Sequence, residues 1–216
     1  MAQRRYLIAG AKGGQGTTTV ATVVAALAAG HGPTTLVSTR PEDVCALTGS
    51  PAPADWASMA SISANLRLLD AEHADRNGGP GPASGPGGGG RQHVVVDLGR
   101  LSELAEDHRL ETDGVGDTSR WLVVRGPCYL SLRAAIDHPW RPHGIVVLAE
   151  AGRPLTSADV SDVVGAPVVA QVPVEASVAR IVDAGLLLAR LPRLSAFQSL
   201  IRLVQPQPHP EKAPTA

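Results

Sequence analysis

Aromatic side chains are scarce in this chain: three tryptophans, two tyrosines and one phenylalanine among 216 residues. A core must therefore be built from Val, Leu, Ile and Ala. With 44% apolar residues there are enough of them for one domain of ordinary size. Charge of either sign is not in excess, since 19 basic residues face 20 acidic ones. That balance argues against general electrostatic attraction to nucleic acid and leaves only a local basic patch as a route to one. Cysteine is nearly absent. Cys45 and Cys128 lie far apart with no Cys-x-x-Cys, which fits a reducing compartment and no zinc site. No apolar run reaches membrane-spanning length, and the run after Met1-Ala2-Gln3-Arg4-Arg5 is too short for a signal-peptide core. A soluble cytoplasmic protein is the expectation.

What is present is an alternation of short apolar runs and helical patterns. Strands are expected at 5–9, 34–38, 66–69, 93–98, 121–124, 144–149 and 167–172. Several are continuous Val/Ile/Leu runs, as parallel strands covered on both faces require. Helices are expected at 18–29, 130–137, 157–164, 176–184 and 192–204, with Ser157 and Asp159 at one helix start. The fold class this predicts is α/β, a doubly wound, mainly parallel sheet flanked by helices. Residues 75–91, rich in Gly and Pro, read as a flexible insertion within one domain spanning 1–204. Residues 205–216 read as a disordered tail.

The densest chemical signal is Gly10-Ala11-Lys12-Gly13-Gly14-Gln15-Gly16-Thr17-Thr18-Thr19, set between a strand and an alanine-rich helix. A glycine-rich turn there presents backbone N–H groups at a helix N-terminus, where the macrodipole favours an anion. The bland alternative is a tight turn that binds nothing. The run nearly spells a P-loop, but Gly16 is followed by Thr17 where that motif has lysine. A second candidate is Val94-Val95-Val96-Asp97-Leu98-Gly99, a buried strand ending in a carboxylate, as a Walker B strand does. Asp97 as a simple loop or capping residue is the alternative.

Lys12 through Ala21 resembles the deviant Walker A motif of the MinD/ParA ATPases, Lys-Gly-Gly-x-Gly-Lys-Thr-Thr, and the chain resembles the actinobacterial MinD-like proteins and the pilus-associated TadZ/CpaE branch. The resemblance implies a P-loop fold, bound ATP and Mg2+, and a homodimer formed through the P-loop face. It also implies a role in positioning, partitioning or assembly with a further protein partner. Lys12 falls on the signature lysine that reaches the partner subunit's nucleotide. Gly13, Gly14, Gln15, Gly16, Thr17, Thr18 and Thr19 form the cradle, with Thr18 and Asp97 at the metal. Later runs, 121–133 and 168–175 with Ala179 and Gly185, are similar to the family in their order. Two departures matter. Thr17 replaces the Walker lysine, so the charge that spans the β- and γ-phosphates is missing. Ser38 and Arg40 replace the aspartates that usually end the second strand; Glu42 and Asp43 are close by in sequence but would need a shift in register. Both departures point to weak or absent hydrolysis.

A competing reading uses Gly10-x-x-Gly13-x-x-Gly16, which resembles the atypical NADP-binding short-chain reductases, with Arg40 toward a 2′-phosphate. No Tyr-x-x-x-Lys pair accompanies it, since Arg133 stands four positions after Tyr129. A scaffold that binds no nucleotide is a third reading. His138 and His143 flank a proline-rich turn and are a weak metal candidate, and no Gly-x-Ser-x-Gly elbow occurs. Leu191, Leu194, Phe197, Leu200, Ile201 and Val204, with Arg190, Arg193 and Arg202, read as a final helix packed on the sheet. Membrane contact through 190–204 is the alternative.

Overall fold

The computed structural model describes residues 3–56, 58–76, 91–104 and 117–205. The strands are β1 (Gln3–Gly10), β2 (Thr34–Ser38), β3 (Ala60–Ser61), β4 (Leu66–Asp70), β5 (Gln92–Arg100), β6 (Asp117–Arg125), β7 (Gly144–Ala149) and β8 (Val168–Pro173). The helices are α1 (Thr17–Ala29), α2 (Pro41–Thr48), α3 (Ala71–Arg76), α4 (Tyr129–Asp137), α5 (Ser157–Val164), α6 (Ala176–Asp183), α7 (Leu187–Arg190) and α8 (Gln198–Val204). All eight strands join one sheet in the order β3-β4-β2-β5-β1-β6-β7-β8. Every pair is parallel except the short edge pair β3–β4. The α/β doubly wound class is therefore what the chain adopts.

Side chains alternate across the sheet with period two, and each face finds its own cover. Tyr6, Ile8, Leu36, Val95, Trp121, Val123 and Val146 point to one face, against α1, α2, α7 and α8. Leu7, Ala9, Val37, Val94, Val96, Leu122, Val124 and Val147 point to the other, against α3, α4 and α5. The small side chains of α1 let it lie deep, with Ala21, Val23, Val24, Ala25 and Ala28 wholly buried. Tyr6 and Trp121 pack ring to ring at 5.0 Å, so two of the few aromatics share the layer beneath α1.

Strand order carries a functional constraint. β5 lies between β1 and β2, pairing Ile8 with Asp97 on one side and Ser38 with Asp97 on the other. In the dinucleotide-binding order 3-2-1-4-5-6 the first two strands are neighbours. This sheet separates them, so its topology is not the one the reductase reading requires.

Several expectations are corrected. The helix read at 192–204 is broken: Pro192 sits in a 3-10 turn (Leu191–Arg193), a second 3-10 turn follows (Ser195–Phe197), and α8 begins only at Gln198. Proline lacks the N–H an α-helix interior needs. Leu191, Phe197, Leu200 and Val204 are nonetheless buried against the sheet and α1, as the packed reading has it. Asp75 and Arg76 close α3 rather than open the insertion. Residues 77–90 of that insertion and 206–216 of the tail lie outside the described residues. Helix α5 does run from Ser157 to Val164 with Ser157 and Asp159 in its first turn, and Thr156 caps it, its hydroxyl and Asp159 exchanging the paired bonds of a capping box. Helix α2 is an addition to the expected helices, and Pro41 at its first position and Glu42 and Asp43 in its first turn are its start signals. No helix among the described residues is long and apolar enough to cross a membrane.

His93, on β5, is 4% exposed and pushed down to about 4 by burial and by the charges of Arg4, Arg91 and His31. It is neutral in the fold, whereas the unfolded chain binds its proton below about 6.5. Stability from this residue is therefore lost as pH falls from about 6.5 toward 4, and no further below that. Denaturant unfolding at pH 7, 6, 5 and 4 should show a steeper decline for the wild type than for His93→Leu.

Candidate functional site

The chemistry gathers at the carboxyl ends of the parallel strands, where open α/β sheets place their ligands. The loop after β1 turns over a cleft of about 340 Å³ and leads into α1. Lys12 through Thr19 all line this cleft. Gly16 caps α1 at φ 78°, a left-handed conformation that glycine tolerates, and a Cβ there would lie 2.8 Å from Leu148 Cδ1. The exposed backbone of Gly13 and Gly14 has room above it, with no heavy atom within 4 Å of a Cβ position on Gly14. These are the elements of an anion cradle at a helix N-terminus.

Two side chains of the loop are turned inward and hold its shape. Gln15 is 4% exposed, and its Oε1 accepts a 2.6 Å hydrogen bond from the Arg125 N–H at the end of β6. Ala11 N–H donates to the Val123 carbonyl at 3.0 Å. The loop is thus latched to β6 at two points, and Gln15 offers the cleft its main chain. Thr17 is 8% exposed, and its Oγ1 lies 2.3 Å from where a Cβ on residue 10 would stand. Gly10 is required by packing against Thr17, so the first glycine of Gly10-x-x-Gly13-x-x-Gly16 has an explanation that involves no dinucleotide.

Beneath the loop, Asp97 is wholly buried. Its Oδ2 accepts from Ser38 Oγ at 3.0 Å and its Oδ1 from Gly99 N–H at 3.1 Å, and the Thr18 hydroxyl bonds to the same carboxylate. Burial pushes the carboxyl up, while the bonds from Thr18, Gly99 and Ser38 and the charge of Arg40 pull it back. Ser38 also accepts from Arg40 N–H at 3.0 Å, so the end of β2 is folded around the same carboxylate. The structure brings Thr18 and Asp97 together, one hydroxyl and one carboxylate at a helix N-terminus. This donor set fits Mg2+, which takes one or two protein oxygens and completes its shell with phosphates and water. Among the described residues no group of three His, Cys, Asp or Glu could hold a metal alone. His138 and His143 instead accept backbone bonds from Trp140 and Arg120.

Lys12 is exposed, and its Nζ lies 3.6 Å from Cys128 Sγ. Cys128 caps α4, where hydrogen bonds from Ser131 and then the Lys12 charge bring the thiol down to about 7. Sequence reading did not pair these two residues, 116 positions apart. It also passed over Arg100 and Glu103, which line the cleft with Arg40 and Asp43. The rise from Asp97 through Gly99 to Arg100 was the available signal.

No protein-family model matches the chain, and no curated protein sequence matches it. Solved structures do. A ParA family ATPase from Chlorobium tepidum superposes with a TM-score of 0.68 at 16% identity, covering 94% of this chain and 98% of that one. MinD in the MinC:MinD cell division complex of Aquifex aeolicus gives 0.68 at 16% identity, covering 93% of each. The septum site-determining protein MinD of Pyrococcus horikoshii, complexed with Mg-ADP, gives 0.64 at 14% identity, covering 94% of each. At these identities the similarity is one of fold. The chain has the P-loop fold of the MinD/ParA ATPases over nearly its whole length.

The Gln15 latch is directly testable. Gln15→Ala leaves the Arg125 N–H without its partner and should cost about 1–3 kcal/mol of stability in denaturant unfolding.

Proposed function

We propose that this protein is a MinD/ParA-like nucleotide-binding factor that positions, partitions or assembles other components, and that it turns ATP over slowly or not at all. The observation that carries the reading is the glycine loop standing over the buried Asp97–Thr18–Ser38 network. Support comes from the shared fold, from relatives described with ATP, Mg-ADP or MinC, and from the order of the motifs. In this reading Gly13, Gly14, Gln15, Gly16 and Thr18 give main-chain N–H groups to phosphate, and Thr18 and Asp97 hold Mg2+. The metal, when bound, neutralises phosphate charge.

The residues that drive hydrolysis are the ones replaced. Thr17 cannot span the β- and γ-phosphates. Ser38 is committed to Asp97, and Arg40 places a cation where an acid would orient water. Holding a nucleotide needs the cradle alone, and a held nucleotide can bias a conformation or a dimer without being cleaved. Lys12 lines the cleft with its Nζ toward Cys128 at the start of α4, an arrangement open to a second copy's phosphates. The pilus- or secretion-linked role, the homodimer through this face, the cytoplasmic location and the single 1–204 domain belong to the same proposal.

Calorimetry with ATP, ADP and NADPH, with and without Mg2+, tests it. Magnesium-assisted ATP binding is expected; binding of NADPH alone, or of nothing, sinks the reading. Lys12→Ala should weaken ATP-dependent self-association, measured by sedimentation, by roughly tenfold, the scale of one lost charge-assisted bond. Unchanged association and affinity would remove the trans role.

A further inference from the structure

We infer that Arg100, with Arg40 beside it, supplies to a bound polyphosphate the positive charge that Thr17 does not; this rests on the nucleotide-binding reading above. The starting point is the register of the central strands. β1 and β5 pair residue for residue from Gln3↔Gln92 to Ile8↔Asp97, and then Gly10 pairs with Arg100. From one pairing to the other, β1 advances by two residues and β5 by three. β5 therefore carries a bulge just after Asp97, and Gly99 takes it up at φ 69°. Bulges re-aim the side chains that follow them. Here the strand that buries Asp97 continues past it and delivers Arg100 to the rim of the glycine loop.

Arg100 is held there. Its Nη2 bonds to Glu103 Oε1 at 2.8 Å, across one turn of the 3-10 segment Leu101–Glu103. Its Nη1 lies 3.8 Å from where a Cβ on Gly13 would stand. One end of the guanidinium is tied back, and the other faces the loop where the backbone has no side chain. The side chain is 43% exposed, so it is neither sunk in the core nor loose on a distant surface. A planar fork with several donors suits a phosphate oxygen pair.

Of the other cations, Lys12 reaches toward Cys128, and Arg40 enters the same cleft from the N-cap position that precedes α2. Asp43 and Glu103 are the acids lining the cleft, and Glu103 is already engaged with Arg100. The position that the P-loop motif reserves for lysine holds a buried hydroxyl, so the cleft's cationic character comes from the strand ends around it.

The experiment is calorimetric titration of the full chain with ATP and, separately, with inorganic triphosphate. Arg100→Gln, which removes the charge and keeps a shorter polar side chain, should weaken both by roughly ten- to a hundredfold. Arg100→Lys, which keeps charge, should lose less, and Arg40→Gln should weaken both by a smaller factor. Thermal unfolding of each variant checks that the fold is intact. If the wild type binds both probes and Arg100→Gln binds them within twofold, the inference is wrong and the nucleotide reading stands. Equal losses for Arg100→Gln and Arg100→Lys overturn the role of the charge. If the wild type binds neither probe, both fall together.

Discussion

The buried carboxylate of Asp97 organises this end of the molecule. A wholly buried acid must be bonded, paired or protonated. Its bonds come from three directions: Ser38 at the end of β2, Thr18 in the first turn of α1, and Gly99 in the bulge of its own strand. Those bonds fix the relative placement of the three segments that surround the cleft. The strand order places β5 between β1 and β2, so Asp97 stands beside Ser38 of β2 and under the helix that follows β1. The bulge that satisfies one oxygen through Gly99 is the same irregularity that carries Arg100 to the loop.

Around that point the charge has been redistributed. The loop keeps the glycines and threonines that shape an anion cradle but has a buried hydroxyl where lysine is usual. Arginines at the ends of β2 and β5 face the same space. In the proposed reading the main chain and the rim of this cleft hold phosphate, while the acids that line it, Asp43 and Glu103, stand away from the strand end where the motif places its aspartates. Retention with little or no turnover is what the proposal expects of that combination, since binding and hydrolysis draw on different groups.

Much of this was legible because the signals were local. Continuous Val/Ile runs such as Val94-Val95-Val96 report strands covered on both faces, and the glycine loop reports strand, turn and helix in ten residues. Ser38 and Asp97 were each noticed, but their pairing is a register property of non-adjacent strands and leaves no periodic trace. Arg100 was missed for the same reason: its position depends on one extra residue in β5 relative to β1. The sequence places a helix start at Pro192, which in the fold marks a 3-10 turn, because the apolar spacing of Leu191, Phe197, Leu200 and Val204 survives the break. Gly10 reads in sequence as part of a ligand motif, whereas in the fold the packed side chain of Thr17, with Lys12 O and Gln15 Cβ close by, accounts for it.

The most direct measurement is phosphate release from ATP at a protein concentration and magnesium level that saturate binding, followed over many hours. A site that holds nucleotide and turns it over slowly or not at all gives saturable binding with release at, or only slowly above, the rate in buffer alone. Sustained multiple turnover at rates typical of enzymes, about 1 s⁻¹ or more, would contradict it.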